Sequence, residues 1–388
     1  MTKRRVLVVT AIRSEYDILS SIIQALERHP LTEPGVVVTG AHLSPLYGYT
    51  VREIVADGFP IVARIESLLN SDSSAGRIKS AAVQLSGLVD LFVQQQPAFV
   101  IAPMDREEAI TVALAGAYMR IPVVHVGGGD TAEDANIDNA VRHAVTKLAH
   151  LHMVSSTRSA ERVIRLGEEP WRVHVVGDPG LDRLLSTPEI SSEELWAGLG
   201  TEPVSGPFAV LIQHPILSEA ASGVSHIRVT LDALLHTGLR VFVSYPNSDS
   251  GSQQIIDIIE KYASRYPQVF YLYRNLSRII FVNLLRRAHV LVGNSSAGIV
   301  EAPLLHLPGV NIGPRQRGRE HSENVIFVEP NLEAIETAVH KAVFDKKFRE
   351  TVANCSNPYG DGHSGERIAE ILAEHPIEDR LLNKINTF

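Results

Sequence analysis

FVIAPMDREEAITVALAGAYMRIPVVHV, residues 99–126, sets two short apolar runs, Phe99 to Ala102 and Val123 to Val126, on either side of a longer helical pattern. Runs this short and this uniformly apolar suit strands covered on both faces, and the stretch between them supplies the crossover that parallel strands require. The alternation repeats outward in both directions. In the first half, Val6 to Thr10, Val36 to Thr39, His152 to Ser155 and Val173 to Val176 read as further strands; in the second half, Phe208 to Gln213, Val241 to Tyr245, Val269 to Tyr273, Val290 to Val292 and Val310 to Ile312 do so. A turn-rich stretch from Gly177 to Ser192 separates the two series. The expected fold is therefore α/β, with two Rossmann-like domains of parallel sheet over 1–180 and 190–364 and an active-site cleft between them. The segment 365–388 follows a Pro/Gly/Asp-rich break, and its helix, Gly365 to Ala373, is expected to cross back to the first domain.

Composition agrees with this division. A chain of 388 residues exceeds what one hydrophobic core usually serves. With 45% apolar and 21% charged residues it has the balance of an ordinary globular protein, and a net charge of -8 argues against a general nucleic-acid binder. The single cysteine, Cys355, excludes an internal disulfide and a cysteine-rich metal site, as in a reducing compartment. The apolar stretch that follows the basic start MTKRR is too short for a signal-peptide core or a membrane span, so a cytoplasmic protein without a membrane partner is expected.

In open parallel sheets ligands bind beyond the carboxyl ends of the strands, so polar residues just after apolar runs are the candidates for chemistry. In TAIRSEYD, Arg13 reads either as a phosphate contact or as a solvated arginine. In APMDREEA, Asp105 stands directly beyond a strand, as a reacting carboxylate or a helix N-cap. HVGGGD offers three glycines for close backbone approach, yet it is not the G-x-G-x-x-G fingerprint, so no NAD is inferred. In NIDNAVRHAVTKLAHLH, Asp138 and Arg142 lie four apart and share a helix face, with His143 beside them. His143, His150 and His152 have no spacing that fixes a metal site, and no metal is expected. In LIQHPILSE, His214 follows a strand and is either an acid or base or a structural histidine. VLVGNSSAGIVEAPLL places Ser295 and Ser296 at a helix start, a diphosphate site by electrostatics, with Glu301 further along that helix for ribose hydroxyls. IGPRQRGRE adds Arg315, Arg317 and Arg319, able to neutralise phosphate charge.

Taken together, GAHLSPLYGYT at 40–50, DREEA at 105–109, IDNAVRHAVTKLAHLH at 137–152, YPNSDSGS at 245–252, GNSSAGIVE at 293–301 and IGPRQRGRE at 312–320 resemble the hydrolysing UDP-N-acetylglucosamine 2-epimerases of the sialic and legionaminic acid type. The resemblance implies a GT-B-like fold, a UDP-sugar as small-molecule partner, no cofactor, and a homo-oligomer, dimer or tetramer. It implies elimination of UDP to a glycal and addition of water with inversion at carbon 2, releasing N-acetylmannosamine. Set on this chain, it implies that Arg13, Ser295, Ser296 and Glu301 hold the nucleotide, with Arg106, His143, Asn247, Asp249, Asn294, Arg315 and Arg319 as further substrate or nucleotide contacts. Asp105, Asp138, Arg142 and His214 would surround the reacting sugar, with Asp130 a further catalytic candidate.

The chain also departs from the pattern. Gly127 stands where relatives carry glutamate or histidine, Asp130 where they carry glutamate, Met104 where they carry glycine, and Asn139 where some carry a carboxylate. TAEDAN before Ile137 is longer by two residues and brings Glu133 and Asp134 as stand-ins for the missing group. These changes leave open a modified sugar, such as a UDP- or GDP-linked 2,4-diacetamido-trideoxyhexose. A glycosyltransferase on the same fold and an inactive sugar-nucleotide binder are compatible with the same two-domain pattern.

Overall fold

The structure, a computed structural model, describes residues 3–71, 73–131, 137–215, 223–246, 252–274 and 276–387, without the side chains of 223–225. The chain divides into two compact units, Met1–Leu185 with Tyr359–Phe388, and Ser186–Pro358.

In the first unit β1 (Arg4–Thr10), β2 (Thr32–Thr39), β3 (Ile61–Ile65), β4 (Phe99–Pro103), β5 (Val123–Val126), β6 (Leu151–Val154) and β7 (Val173–Val175) form one sheet in the order β3-β2-β1-β4-β5-β6-β7. Every pair in it is parallel. Alternate side chains of a strand leave on opposite faces. Accordingly Val6 and Val8 join Tyr16, Leu19, Ile22 and Leu26 of the helix Arg13–Arg28, whereas Leu7 and Val9 join Leu88 and Phe92 of the helix Ser74–Gln95. The helix Ser364–Glu374 closes the first of these faces with Ile368 and Leu372. It is pinned at its start by Asp182, whose carboxylate accepts from the N–H groups of Ser364 and Gly365 at 2.9 and 2.6 Å. At its other end Arg4 Nη1 donates to the carbonyls of Leu372 and His375.

The second unit repeats the plan with β8 (Phe208–Ile212), β9 (Arg240–Ser244), β10 (Phe270–Tyr273), β11 (Val290–Gly293), β12 (Gly309–Ile312) and β13 (Val325–Val328), ordered β10-β9-β8-β11-β12-β13 and parallel throughout. Leu211 and Val243 face Leu231, Ile335 and Val339, while Val210 and Phe242 face Trp196, Leu284 and Leu285. Each sheet reverses its build direction once, between β1 and β4 and between β8 and β11, and the ends of those strands are where such sheets take ligands. Among the described residues no helix is long and apolar enough to cross a membrane.

Candidate active site

In the first unit the chain leaves β4 through Met104, whose φ of 57° lies in the left-handed region. A non-glycine residue adopts that conformation at a cost of about 1–3 kcal/mol and keeps it only where its surroundings enforce it. Here both main-chain polar groups of Met104 are held by β5. Its N–H donates to the Val126 carbonyl and its own carbonyl faces His125 Nε2, each at 2.8 Å. The next residue, Asp105, receives a hydrogen bond and an ion pair from Arg142 Nη2.

Arg142 is buried, its Nη1 donates to the Asp130 carbonyl at 2.7 Å and to Asn139 Oδ1 at 3.3 Å, and its Nε is buried without a partner among the described residues. Burial raises the Asp105 pKa above the usual carboxylate range; Arg142 opposes this and the nearby Asp138 adds to it. Asp138 and Arg142 share the helix Ile137–Leu148, so three groups of the expected reacting set meet at the ends of β4 and β5. His143, on the same helix, has its pKa lowered by burial and by Arg142.

The other expected groups of this unit have different partners. The Asp130 carboxylate accepts from Ser155 Oγ at 3.0 Å and Ser159 Oγ at 2.6 Å, which ties the glycine loop to the start of the helix Thr157–Arg165. Only its main-chain carbonyl reaches Arg142. Arg106 pairs with Glu107 and Glu108 of its own helix, and Arg13 forms an exposed pair with Glu53 at 3.3 Å. The loop itself is glycine for steric reasons. Gly127 has φ +83°, and a Cβ there would lie 2.5 Å from Met104 Sδ; Gly129 has φ +80°, and its Cβ would lie 2.2 Å from the Ser159 carbonyl oxygen. The Met104 side chain thus fills the space that a side chain at 127 would need.

In the second unit β11 ends at Gly293, whose φ of +129° would bring a Cβ to within 2.0 Å of the Ile212 carbonyl oxygen, so glycine is required. Asn294 then clamps the main chain of His214: its Oδ1 accepts from the His214 N–H at 2.8 Å and its Nδ2 donates to the His214 carbonyl at 2.9 Å. Its side chain, expected at the substrate, therefore holds His214 in place. The Asn294 carbonyl in turn accepts from Arg315 Nη1 and Gln316 Nε2, both at 3.0 Å, and Arg319 donates to Gln316 Oε1. Arg317 pairs with Glu329. The helix after Ser295 and Ser296 is a single turn, Ala297–Val300, with Glu301 at its end, which is shorter than the sequence pattern suggests. Asn247, Asp249, Glu133 and Asp134 lie outside the described residues.

Two further buried ionisable groups stand near these strand ends and are not singled out by the sequence pattern. His125 sits inside HVGGGD, and Glu15, two residues past Arg13, has its pKa raised to about 8 by burial and by Glu108. An ionisable residue within an apolar run or at a helix start is the signal that could have found both. Among the described residues no three His, Cys, Asp or Glu side chains converge on a metal-ligating cluster.

The model of the family described as UDP-N-acetylglucosamine 2-epimerase matches residues 24–373. The chain is 34% identical over 385 residues to the UDP-N,N'-diacetylbacillosamine 2-epimerase (hydrolyzing) of Legionella pneumophila, covering 99% of this chain and 100% of that one. It is 31% identical over 333 residues to the GDP/UDP-N,N'-diacetylbacillosamine 2-epimerase (hydrolyzing) of Campylobacter jejuni, covering 85% and 86%. The fold matches that of the UDP-GlcNAc 2-epimerase of Neisseria meningitidis bound to UDP-GlcNAc, with a TM-score of 0.78, 19% identity, and coverage of 96% and 100%. The match runs through both sheets and through the residues gathered at their strand ends, and the chain belongs to the UDP-N-acetylglucosamine 2-epimerase family.

Proposed function

We propose that the protein is a hydrolysing 2-epimerase of a UDP-linked 2-acetamido sugar. The observation that carries this reading is the pair of half-buried Asp105 with buried Arg142, Asp138 beside it: a carboxylate of raised proton affinity held against a fixed cation. Such a group takes a proton from a weakly acidic carbon more readily than a solvated carboxylate does. Asp105 removes the carbon 2 proton, the carbon 1 to diphosphate oxygen bond breaks, and the electron pair forms the double bond of a glycal. Water then adds its oxygen to carbon 1 and releases one of its protons to solvent, while a proton arrives at carbon 2 from the opposite face, which inverts that centre. We assign delivery of a proton at the reacting sugar to His214, whose main chain Asn294 fixes, and the nucleotide to Ser295, Ser296 and Glu301. Diphosphate is a good leaving group, so the scheme calls for no redox cofactor.

For the sugar we favour a 2,4-diacetamido-trideoxyhexose of the diacetylbacillosamine type, because the hydrolysing relatives from Legionella pneumophila and Campylobacter jejuni are both named for it. UDP-N-acetylglucosamine is the second reading, supported by the family description. The test is nucleotide release from UDP- and GDP-linked forms of both sugars, with the freed sugar followed by proton NMR in heavy water and EDTA present. The expected result is release of UDP and a sugar epimerised and deuterated at carbon 2. Protium retained at carbon 2, a strict acceptor requirement, or a metal requirement would overturn the scheme.

A further inference from the structure

We propose that His125 is a positioning residue for Asp105, seating that carboxylate against Arg142 through the main chain of Met104. This rests on Asp105 being the carbon 2 base. The His125 side chain is fully buried, so the ring acts through its neighbours. Its Nε2 lies 2.8 Å from the Met104 carbonyl oxygen, which only accepts, so Nε2 carries the proton and donates. Burial pushes the ring's pKa down to about 3, so it is neutral at working pH and Nδ1 keeps a lone pair. The Thr146 hydroxyl lies 3.0 Å from that nitrogen and 3.0 Å from the Arg142 carbonyl, and its one proton is shared between the two acceptors. Thr146 belongs to the helix that carries Asp138 and Arg142. One ring thereby ties the residue before Asp105 to the element that bears its partner.

The bond matters because of the conformation it secures. Met104 stays left-handed only because β5 grips both its N–H and its carbonyl. With the carbonyl released, the peptide between 104 and 105 is free to turn toward an ordinary conformation and carry the Asp105 carboxylate away from Arg142. The surrounding glycines fit the same assembly. A Cβ at Gly128 would lie 2.9 Å from His125 Nδ1 and 3.2 Å from Thr146 Oγ1, and one at Gly127 would strike the Met104 sulfur. A side chain at 127 or 128 would therefore disturb the Met104 or His125 contacts.

The test compares His125→Asn, which removes the Nε2 donor, with His125→Gln, whose amide reaches the Nε2 position. Val112→Ala, which truncates a fully buried side chain of the helix Glu107–Tyr118, serves as a control for simple destabilisation. In the Asn variant kcat should fall about 10²-fold, as displacement of a reacting group by about 1 Å does, while KM and UDP affinity move by less than about threefold. The Gln variant should recover to within about tenfold of wild type. The acid limb of kcat/KM should move to higher pH in the Asn variant alone, because Asp105 loses the cation that holds its proton affinity down. A folded His125→Asn chain with wild-type kcat and an unmoved limb would overturn the proposal.

If that variant does not fold, Thr146→Val replaces it, with an expected loss of about tenfold; an unchanged kcat would count against the ring. Nitrogen-15 NMR of the wild-type ring adds a readout independent of turnover. It should show Nε2–H and a bare Nδ1 from about pH 5 to 9, and a proton on Nδ1 or a titration in that range would overturn the assignment. Absence of nucleotide release by wild type from every sugar in the panel speaks against the enzymatic reading, whereas these readouts speak to His125 alone.

Discussion

The two units solve the same local problem with different chemistry. Each must turn the chain sharply after an inner strand. The first does so with a left-handed methionine gripped by a buried histidine, and the second with a glycine followed by an asparagine clamp. Around the first turn the functional groups are ionisable and close together: the Asp105 carboxyl has its proton affinity raised by burial and by Asp138 and lowered by the buried Arg142. Around the second, the described bonds are neutral amides and backbone carbonyls that hold His214, Arg315 and Gln316 in register. The first turn is suited to hold a base against its cation, and the second to fix the main chain of His214 and the arginine beside it.

The sharpest way to break this comparison is to remove the base. Asp105→Asn should lower kcat by about 10²–10⁴ with UDP affinity by calorimetry nearly unchanged. Asn294→Ala, by contrast, should lower kcat by about tenfold to a hundredfold and also weaken UDP binding, since it frees the His214 main chain from the turn that leads into Ser295 and Ser296, while the main-chain carbonyl at 294 that anchors Arg315 remains. Equal effects of both variants on kcat alone would erase the division of labour.

An intermediate effect is expected from acid. In the first unit burial holds the pKa of His125 down to about 3 and those of His42, His150 and His152 to about 4, against 6.5 for a free histidine. The second unit contributes His289, lowered in the same direction. A histidine with a depressed folded pKa leaves stability intact above 6.5 and removes it as pH falls toward 4, because the unfolded chain takes up the proton and the folded one does not. At pH 5 this amounts to on the order of 1–2 kcal/mol per histidine. Glu15, raised to about 8, works in the opposite direction as its carboxyl gains stability on protonation, and offsets one or two of them. Hydrogen exchange from pH 7 to 5, corrected for intrinsic rates, should show the first unit losing protection before the second. Simultaneous loss would remove the contrast.

The smallest effect belongs to Arg13→Ala. Its pair with Glu53 is solvent-exposed, so the melting temperature should shift by less than about a degree, consistent with a pair worth 0–1 kcal/mol at most. If Arg13 contacts phosphate, KM should rise with kcat little changed, and an unchanged KM would reduce it to surface.

Inner strands were legible because a strand covered on both faces has to be a continuous apolar run, as β1, β4, β8 and β11 are. The two strands that the sequence pattern does not reveal, β3 and β13, both lie at sheet edges and are partly exposed, and β3 carries Arg64 as its fourth residue. β2 begins four residues before its apolar run because Pro34 and Gly35 pair within the sheet against Val6 and Leu7, where local propensity argues for a loop. Asp105, Asp138 and Arg142 were visible as polar groups following apolar runs. The tasks of His125 and Asn294 were not, because their partners lie across strands, 21 residues away at Met104 and 80 residues away at His214.

The helix Ser364–Glu374 gives the first unit a history during synthesis. It leaves the ribosome about 190 residues after β7, yet it completes the cover of the sheet face of Val6 and Val8, beside Tyr16, Leu19 and Ile22 of the helix Arg13–Arg28. At roughly 5–20 residues per second, that face stays partly uncovered for about 10–40 s. The second unit is contiguous and has all its strands before that helix emerges. The part of the molecule translated first is thus completed last, and nascent chains carry an apolar sheet face partly open to chaperones or to one another.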